Sequence, residues 1–397
     1  MSIIPRGLHL LALIPALLLA SACVSKQVKR VNEVQAQQAK TELPTEQVLS
    51  VVVTQFDPGI PETIKEQQKE RIYPEVRKAE ANFIPQVLRS TLDNTGYWGT
   101  VRVLPKATAS TMIEVGGKIL HSDGETLRVR VYATDATGRK WLDKEYEEVA
   151  AELSYTEKTI SALDPFQDLY NNIANDLLAQ RNKLTAEQML ELKRVSKLKF
   201  AADLAPARFE GYLQSDSSGR LSVKRLPPES DPIVQRIEDV RLRDDLLVDT
   251  LDAHYSAFQQ NMRPAYQEWR RANYSEVIAL RELEQQALGR KIAGAAAVVG
   301  GVYAVATAEN AGTAAAGSVG IIGGVGLITS GLHKGKEAEL HAESLRELNS
   351  SISDDVAPRV VKLDEKAITL SGSAEEQYAQ WRQLLQQRYA AETGATP

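Results

Sequence analysis

The sequence predicts an α+β protein: a small α/β domain, with the order strand, helix and three strands, precedes a mostly helical region that contains a Gly/Ala-rich helical hairpin. Three observations lead to this prediction. β-Branched and alternating apolar segments are concentrated between residues 48 and 155. Apolar residues at helical spacing dominate residues 156–290. Long uncharged runs of glycine and alanine then fill residues 291–333.

Residues 1–22 predict a lipoprotein signal peptide. Arg6 supplies a positive start, an apolar run extends from Leu8 to Leu19, and three small residues precede Cys23, the single cysteine. This arrangement resembles a lipobox, which implies that Cys23 becomes the first mature residue with diacylglycerol on its thiol. An ordinary secretory signal is the alternative, whereas a transmembrane anchor needs about 20 apolar residues.

The residues after Cys23 predict the location of the mature chain. Val24 stands where inner-membrane lipoproteins of well-studied enteric bacteria have aspartate. By that resemblance we expect a lipid-anchored protein on the periplasmic face of the outer membrane. Residues 23–47 are polar and rich in glutamine, which predicts a tether or a short exposed helix.

Residues 48–155 have the pattern of a small α/β domain. A β-branched run, Val48 to Val53, predicts a buried strand, and Glu75 to Asn94 has the apolar spacing of a helix. Further strands are predicted at Val101–Leu104 and Met112–Leu120, and the Gly116-Gly117 pair indicates a bulge or a close backbone approach.

The last strand of this domain is predicted to turn back as a hairpin. Leu127, Val129 and Val131 alternate with polar residues, so one face of the strand meets a core and the other meets water. A turn at Asp135 to Gly138 leads into the second arm of the hairpin, Lys140 to Glu147.

Four of these segments carry a resemblance: VLSVVVTQF, STLDNTGYWGTVRVLP, MIEVGGKIL and LRVRVYATDATGRKWLDKEY. Together they resemble the α/β domain of the TolB amino-terminal region, the CsgG curli-pore lipoproteins and the LpoB-like lipoproteins. In that group a Gly-x-Ile element lies in the third strand and an Ala-Thr-Gly turn joins the last two strands. Gly117-Lys118-Ile119 and Ala136-Thr137-Gly138 match these elements. The resemblance implies this fold and a role in pore building, partner binding or activation of a cell-wall synthase.

Residues 156–290 are predicted to be helical. Asp164-Pro165 is a good helix start, and a second helix is predicted from Ala186 to Leu213. A long amphipathic helix follows, with a stripe of apolar residues from Ile233 to Met262 and one wider gap, of seven residues, between Val240 and Leu247. Pro264 is expected to kink or end this helix.

Residues 291–333 predict a glycine-zipper hairpin. Gly312, Ala316, Gly320 and Gly324 recur at every fourth residue, so a second helix can approach their shared face closely. Three roles stay open: insertion in or contact with a membrane, burial within the protein, and a zipper between copies of the chain. The basic pairs Arg290-Lys291 and His333-Lys334 flank the hairpin, where they can meet anionic lipid or solubilise the helix ends.

Residues 334–397 predict a helix, a β-hairpin around Asp364 to Lys366, and a closing helix with a Ser373/Glu376 capping box. The closing helix has one face of large apolar and aromatic side chains. Packing of this face against the hairpin is the more frequent explanation, and docking of a partner is the alternative. The members of this face are Tyr378, Trp381, Leu385 and Tyr389.

Composition and motifs argue against an enzyme. The net charge is −5, without a basic block that would favour nucleic acid. The single cysteine leaves no disulfide, and no histidine pair has the spacing of a metal site. We expect no catalytic residue, metal or cofactor, and we interpret the pair Asp244-Asp245 as solvated helix surface or a cap.

The hypothesis is therefore a non-enzymatic, lipid-anchored envelope protein with a structural or assembly role in an outer-membrane-associated complex, such as an export or surface-structure apparatus. Its partners would be the membrane, other envelope proteins and further copies of the chain. The main alternative is a regulatory lipoprotein that binds a cell-wall synthase. A second alternative is an enzyme that acts on peptidoglycan, built from distant carboxylates.

Overall fold

The computed structural model of the chain describes residues 33–156, 163–228, 231–307, 359–363, 366–370 and 374–393. The strands are β1 (Val51–Thr54), β2 (Val101–Leu104), β3 (Ile113–Ser122), β4 (Thr126–Asp135), β5 (Lys140–Val149), β6 (Leu213–Ser215), β7 (Leu221–Val223), β8 (Arg359–Leu363) and β9 (Lys366–Leu370). The helices are α1 (Ile64–Lys69), α2 (Pro74–Asn94), α3 (Gln167–Arg181), α4 (Ala186–Leu204), α5 (Pro206–Phe209), α6 (Pro232–Thr307) and α7 (Ala374–Thr393). The chain thus combines helices with a five-stranded sheet, as an α+β protein does.

The five-stranded sheet has the order β2-β1-β3-β4-β5. β1 is parallel to both β2 and β3, and β3, β4 and β5 form an antiparallel meander. The predicted strands are all present, and the turn that joins β4 to β5 lies at Ala136-Thr137-Gly138. If the strands followed one another in chain order, β1 would be an edge strand. The crossover through α2 instead places it between β2 and β3, and all four of its residues are buried there.

The alternation in β4 separates a core face from an outer face. Val129 and Val131 are fully buried, whereas Arg128 and Arg130 are exposed. Apolar residues at every second position place a whole row of side chains on one face of the sheet, because successive residues of a strand point to opposite sides. Helices cover the whole of this inner face, and α6 also covers the outer face at β1 and β2 through Val248 and Leu251.

Helices from both halves of the sequence cover the inner face. One apolar cluster joins side chains of the sheet and α2 to Ile173 of α3 and Val195 of α4. Residues on both sides of position 155 therefore share a single core. The hydrophobic effect drives this arrangement, since α3 and the sheet each expose an apolar face that must be buried.

The predicted helix from Ala186 to Leu213 is shorter in the structure. α4 ends at Leu204, and the chain continues through the single turn of α5 into the small hairpin of β6 and β7. The physical reason is Pro206, because a proline disfavours helical backbone in the residue before it. Ala205 accordingly has a non-helical backbone, with φ −138° and ψ 70°.

The long helix α6 continues through Pro264, where a kink or an end was predicted. It contains 76 residues, a rise of about 114 Å. Pro264 is exposed, so the carbonyl group that it leaves without a helical partner can be solvated by water. Met262 and Tyr266 on either side are buried against α2, and this packing supports the helix across the proline.

The C-terminal hairpin and closing helix are confirmed, but the packing partner of the helix differs from the prediction. β8 and β9 pair in an antiparallel register. Trp381, Leu385 and Tyr389 of α7 are buried in a cluster built mainly by α4 and α6, and Leu370 is the contribution of the hairpin to that cluster. The docking surface for this aromatic face is thus helical.

Aromatic rings lie close to the backbone at Gly116 and Gly117. Of the two predicted interpretations, a bulge and a close approach, the structure favours close approach. A β-carbon at Gly117 would lie 2.5 Å from the ring of Phe56, and one at Gly116 would lie 2.5 Å from the ring of Tyr132. The irregularity in the pairing of β3 with β4 lies further along, between Ile119 and His121.

We predict that Gly117→Ala destabilises the protein by about 1–3 kcal/mol, because the ring of Phe56 is buried and has no room to move. Gly116→Ala is the matched control. Its neighbour Tyr132 is 44% exposed and can rotate into solvent, so the cost should be smaller. Urea unfolding followed by circular dichroism measures both variants, and equal losses would contradict this account.

Candidate functional site

The residues that the sequence singles out for function lie outside the described residues. These are Cys23, predicted to carry the lipid, and the zipper residues Gly312, Ala316, Gly320 and Gly324. Within the described residues, polar and charged side chains form networks at three places that were not predicted from the sequence. They are an N-terminal segment bound along α3, a buried charged centre under α6, and a row of aspartates between α6 and β2.

The segment of residues 33–47, called the strap below, lies along the body of the protein. It was predicted to be a tether or a short exposed helix. It contains no α-helix, and its one regular turn is the 3₁₀ turn Thr45–Gln47. The hydrogen bonds that α3 makes with residues 33–37 are made to the backbone of the strap.

The strap is held by three side chains of α3, at positions 168, 171 and 175. Asp168 accepts two backbone N–H groups, while Asn171 and Asn175 each donate to a backbone carbonyl group. The bonds are Glu33 N to Asp168 Oδ2 (2.8 Å), Val34 N to Asp168 Oδ1 (3.2 Å), Asn171 Nδ2 to Val34 O (2.8 Å), Asn175 Nδ2 to Gln35 O (2.9 Å) and Gln37 N to Asn175 Oδ1 (2.8 Å). A ladder of this kind fixes the position of the chain as well as its direction.

Further backbone contacts secure the rest of the strap. Ala39 N donates to the carbonyl oxygen of Thr95 at the end of α2, at 2.8 Å. Lys193 Nζ donates to the carbonyl oxygen of Thr45 at 2.7 Å. The chain is therefore fixed to the body from residue 33 onwards, and nine residues separate Cys23 from the first bonded residue of the strap.

A buried arginine forms the centre of the interface between α6 and the rest of the body. Arg270 is 1% exposed, and its Nη1 donates to both carboxylate oxygens of Asp164 at 3.0 Å. Its guanidinium carbon lies 4.4 Å from the ring centroid of Tyr266 and 5.4 Å from that of Phe83. Burial lowers the pKa of Arg270, but the Asp164 carboxylate, together with the neighbouring Tyr266, Tyr155 and Tyr170, keeps the pKa above its usual range.

Glu80 extends this centre across three elements. This α2 residue is fully buried, and its Oε1 accepts hydrogen bonds from Ser122 of β3 (2.5 Å) and Tyr266 of α6 (2.8 Å). Burial raises the pKa of Glu80, while the positive charge of Arg77 at 3.7 Å opposes the rise. The carboxyl group therefore holds α2, β3 and α6 in one arrangement.

The row of aspartates on α6 covers the exposed edge of the sheet. β2 is an edge strand, and Asp252 Oδ1 accepts the backbone N–H of Val103 at 2.6 Å. Arg102 of the same strand pairs with Asp249 (2.6 Å) and Asp245 (3.4 Å). An open strand edge is a template for association, and here a helix and its carboxylates cover it.

Asp244 corrects the interpretation of the Asp244-Asp245 pair as solvated surface. Asp244 is 1% exposed, and burial raises its pKa to about 7. Tyr378 of α7 donates to its Oδ2 at 3.3 Å, and Arg382 Nη1 lies 3.7 Å from its Oδ1. That separation is beyond hydrogen-bond reach, so the ion pair is loose and desolvation prevails.

Two open clefts adjoin these places. An apolar cleft of about 420 Å³ lies beside Asp244 between β2 and α7, lined by Leu104, Leu251 and Tyr378. A polar cleft of about 520 Å³ lies between the strap, α2, α3 and α6, and most of its lining side chains are amides or hydroxyls. Within the described ranges, no group of histidine, cysteine, aspartate and glutamate residues is arranged to hold a metal ion.

Comparisons with known proteins leave the family open. No protein-family model, curated protein or solved structure matches this chain. The resemblance of residues 48–155 to the TolB, CsgG and LpoB-like lipoproteins therefore stays a prediction. A search of the described helices for a membrane span also found none with the required length and apolarity.

We predict that the Arg270–Asp164 pair is coupled. Arg270→Met or Asp164→Leu alone should lower the free energy of unfolding by about 3–5 kcal/mol, because each leaves a buried charge without its partner. The double variant should lose less than the sum of the two. Arg130→Met, which removes an exposed ion pair with Asp143, is the control and should change the free energy of unfolding far less, because solvent screens that pair. Additive losses in guanidinium unfolding would refute the coupling.

We predict that Asp244 makes stability depend on pH. Its folded pKa of about 7 lies above the unfolded value of 3.8, so the folded state holds the proton over the range between them. Stability due to this group is complete below pH 3.8 and is lost as pH rises towards 7, at up to about 1.4 kcal/mol per pH unit.

Asp244→Asn has no proton to lose and should remove this part of the pH dependence. Thermal unfolding of both proteins between pH 4 and 8 measures the difference. Asp216→Asn is the control, because the Asp216 carboxylate is exposed and its pKa is lowered by hydrogen bonds from Ser218. Parallel curves for wild type and Asp244→Asn would show that the carboxyl group titrates normally.

Proposed function

We propose that this protein is a non-enzymatic, lipid-anchored component of the cell envelope, held by Cys23 on the periplasmic face of the outer membrane. Its role is structural: it docks to other envelope proteins, or assembles with further copies of itself, in an export or surface-structure apparatus. The observation that carries the proposal is the strap. It binds the chain at residue 33, so the lipid on Cys23 would hold the body within about 35 Å of the membrane.

The use of the buried charges supports a mechanical role. Arg270, Glu80 and Asp252 each connect α6 to another element, and their partners are structural groups of the body. A catalytic group must reach a substrate, whereas these side chains are enclosed by packed helices and strands. A rigid body of this kind suits a protein that holds its binding partners at a fixed distance and orientation.

The arrangement that we propose for the whole chain follows the same lines. A small α/β domain of residues 48–155 adjoins the helical region 156–290. Residues 291–333 form a Gly/Ala-rich hairpin, and the C-terminal residues 334–397 pack back through α7. In this scheme the hairpin supplies the surface for association, in the membrane or between copies.

One observation favours the alternative of a regulatory lipoprotein that binds a cell-wall synthase. The outer face of the sheet is exposed along β4 and β5, whereas α6 covers it at β1 and β2, and Tyr132 lies 44% exposed on the part formed by β4. Ion pairs of Arg130 with Asp143 (2.8 Å) and Arg128 with Glu147 (3.7 Å) surround it. An exposed tyrosine among ordered charges is typical of protein-binding surfaces.

Labelling and fractionation of the full chain test the anchor. Cells are labelled with radioactive palmitate, and wild type is compared with Cys23→Ser and with the control Ser25→Ala. We expect label in the wild type and control, both in the outer-membrane fraction. Cys23→Ser should stay unlabelled and unprocessed, because it lacks the thiol that receives the lipid. An unlabelled wild-type protein would refute the proposal.

Detergent extraction and pull-down separate the structural role from the regulatory one. Large oligomers of the wild-type protein support assembly. Capture of a synthase whose activity changes on binding, lost in Tyr132→Ala, supports the alternative. A lytic band in zymography of the purified mature protein would refute both, because neither role includes hydrolysis of peptidoglycan.

A further inference from the structure

α3 shows the direction in which the N-terminal chain leaves the body. Gln37 of the strap bonds to Asn175 of α3, and Glu33 bonds to Asp168, which lies about 10 Å nearer to the N-terminus of α3. The strap therefore leads, when followed towards the N-terminus, to the N-terminal end of α3. The nine residues that connect it to Cys23 start from that end.

α6 runs in the same direction beside the strap. Gln260 of α6 lines the polar cleft together with Gln35 of the strap and Asn171 of α3. Ten residues later, Arg270 bonds to Asp164, which precedes Asp168 by four residues. Increasing residue numbers along α6 thus lead past the same end of α3.

The turn between β3 and β4 provides the last described contacts of α6. Asn273 Nδ2 donates to the carbonyl oxygen of Asp123 at 2.6 Å, and Arg281 pairs with Glu125. A β-carbon at Gly124 would lie 2.6 Å from the carbonyl oxygen of Arg270, so the turn presses against the helix backbone. These contacts hold α6 in place up to Arg281, and the helix continues to Thr307.

The two chain segments have matching reach. The ten Cα–Cα steps from Cys23 to Glu33 span at most about 35 Å. From Arg270 to Ile292, the first residue of the uncharged run, the helix rises by about 33 Å. The N-terminal chain is therefore long enough for Cys23 to reach the level at which the uncharged run starts.

The sequence of the distal part of α6 suits a lipid surface. Arg290-Lys291 is followed by sixteen uncharged residues, from Ile292 to Thr307, most of them alanine, valine or glycine. A basic pair directly before an apolar helix fits the anionic phosphates and the adjoining acyl region of a bilayer. Such a segment enters the interface more readily when a covalent lipid already holds the protein there, since two attachments act together.

We propose that α6 is an arm of fixed length that places residues 292–307 in the same phospholipid bilayer as the lipid on Cys23. The inference rests on the proposed lipid anchor and adds the second point of attachment and its direction. An arm that bridged to another membrane would leave from the end of the body opposite to the strap. Two attachments would also limit rotation of the body on the membrane, which one flexible lipid does not.

Fluorescence quenching in vesicles tests the arm. The lipidated full-length protein is reconstituted in vesicles of phosphatidylethanolamine and phosphatidylglycerol that carry nitroxide-labelled acyl chains. Because the Cys23 thiol is blocked by its lipid, a single introduced cysteine accepts a polarity-sensitive fluorophore. The test variant is Val299→Cys on the arm, and the matched control is Ala257→Cys at an exposed position of α6 on the body.

We expect a blue shift and loss of most of the emission for the Val299→Cys label, with no quenching of the Ala257→Cys label. A label at Val299→Cys that stays in water overturns the proposal, as does one that is blue-shifted but protected from lipid quenchers, which indicates a zipper between copies. Aggregation with added protein-free vesicles also overturns it, because the arm then reaches a second membrane.

The outcome is separable from that of the anchor. Palmitate labelling reports on Cys23 alone, so a labelled protein with an unquenched arm refutes the arm and leaves the anchor intact. Circular dichroism of both cysteine variants checks that the helix is retained. An unlabelled protein whose arm is quenched after addition to vesicles retains a membrane arm and loses the lipid anchor.

Discussion

The buried pair of Arg270 with Asp164 is the constraint on which the arrangement of the helices depends. A guanidinium group that is 1% exposed is tolerable only where a carboxylate meets it at hydrogen-bond distance. A slip of α6 by one turn would separate the charges and leave both of them buried. The pair thus specifies the register of α6 more than it adds to stability, and the contacts of Glu80 and Asp252 repeat this restriction at neighbouring levels.

The strap is held differently, because α3 binds it through hydrogen bonds to the strap's backbone. Asp168, Asn171 and Asn175 read the backbone of residues 33–37, which any sequence without proline at the donor positions can supply. A glutamine-rich segment is therefore compatible with tight positioning. Together, the strap and α6 determine where the chain to Cys23 and the proposed membrane arm leave the body.

The functional proposals share this mechanical picture. The body is one packed unit in which the sheet, α2, α3 and α4 form a common core, and α6 is fixed to it by charge pairs and apolar contacts. A unit of this kind transmits the position of one attachment to another. The exposed part of the outer face, along β4 and β5 and including Tyr132, is then the surface that remains for another protein.

The sequence by itself determined the local elements and left their arrangement open. Alternation in Leu127 to Val131 and the β-branched run at Val51 identify strands, because burial on one face or both depends on periods that a sequence displays. The sequence also contained a signal for the burial of Asp244. This residue fills the gap in the apolar stripe between Val240 and Leu247, at spacings of four and three residues, but its charge favoured the prediction of a solvated side chain.

Only the tertiary structure decided the sheet order, the course of α6 through Pro264, and the contacts of the strap. These features depend on which distant residues meet, such as Glu33 with Asp168 or Arg270 with Asp164. Polar side chains such as Asn171 and Asn175 have no periodic signal that separates a binding face from a solvated one. Local propensity at Pro264 is outweighed by packing of Met262 and Tyr266, because tertiary contacts contribute more to a helix than its intrinsic preferences do.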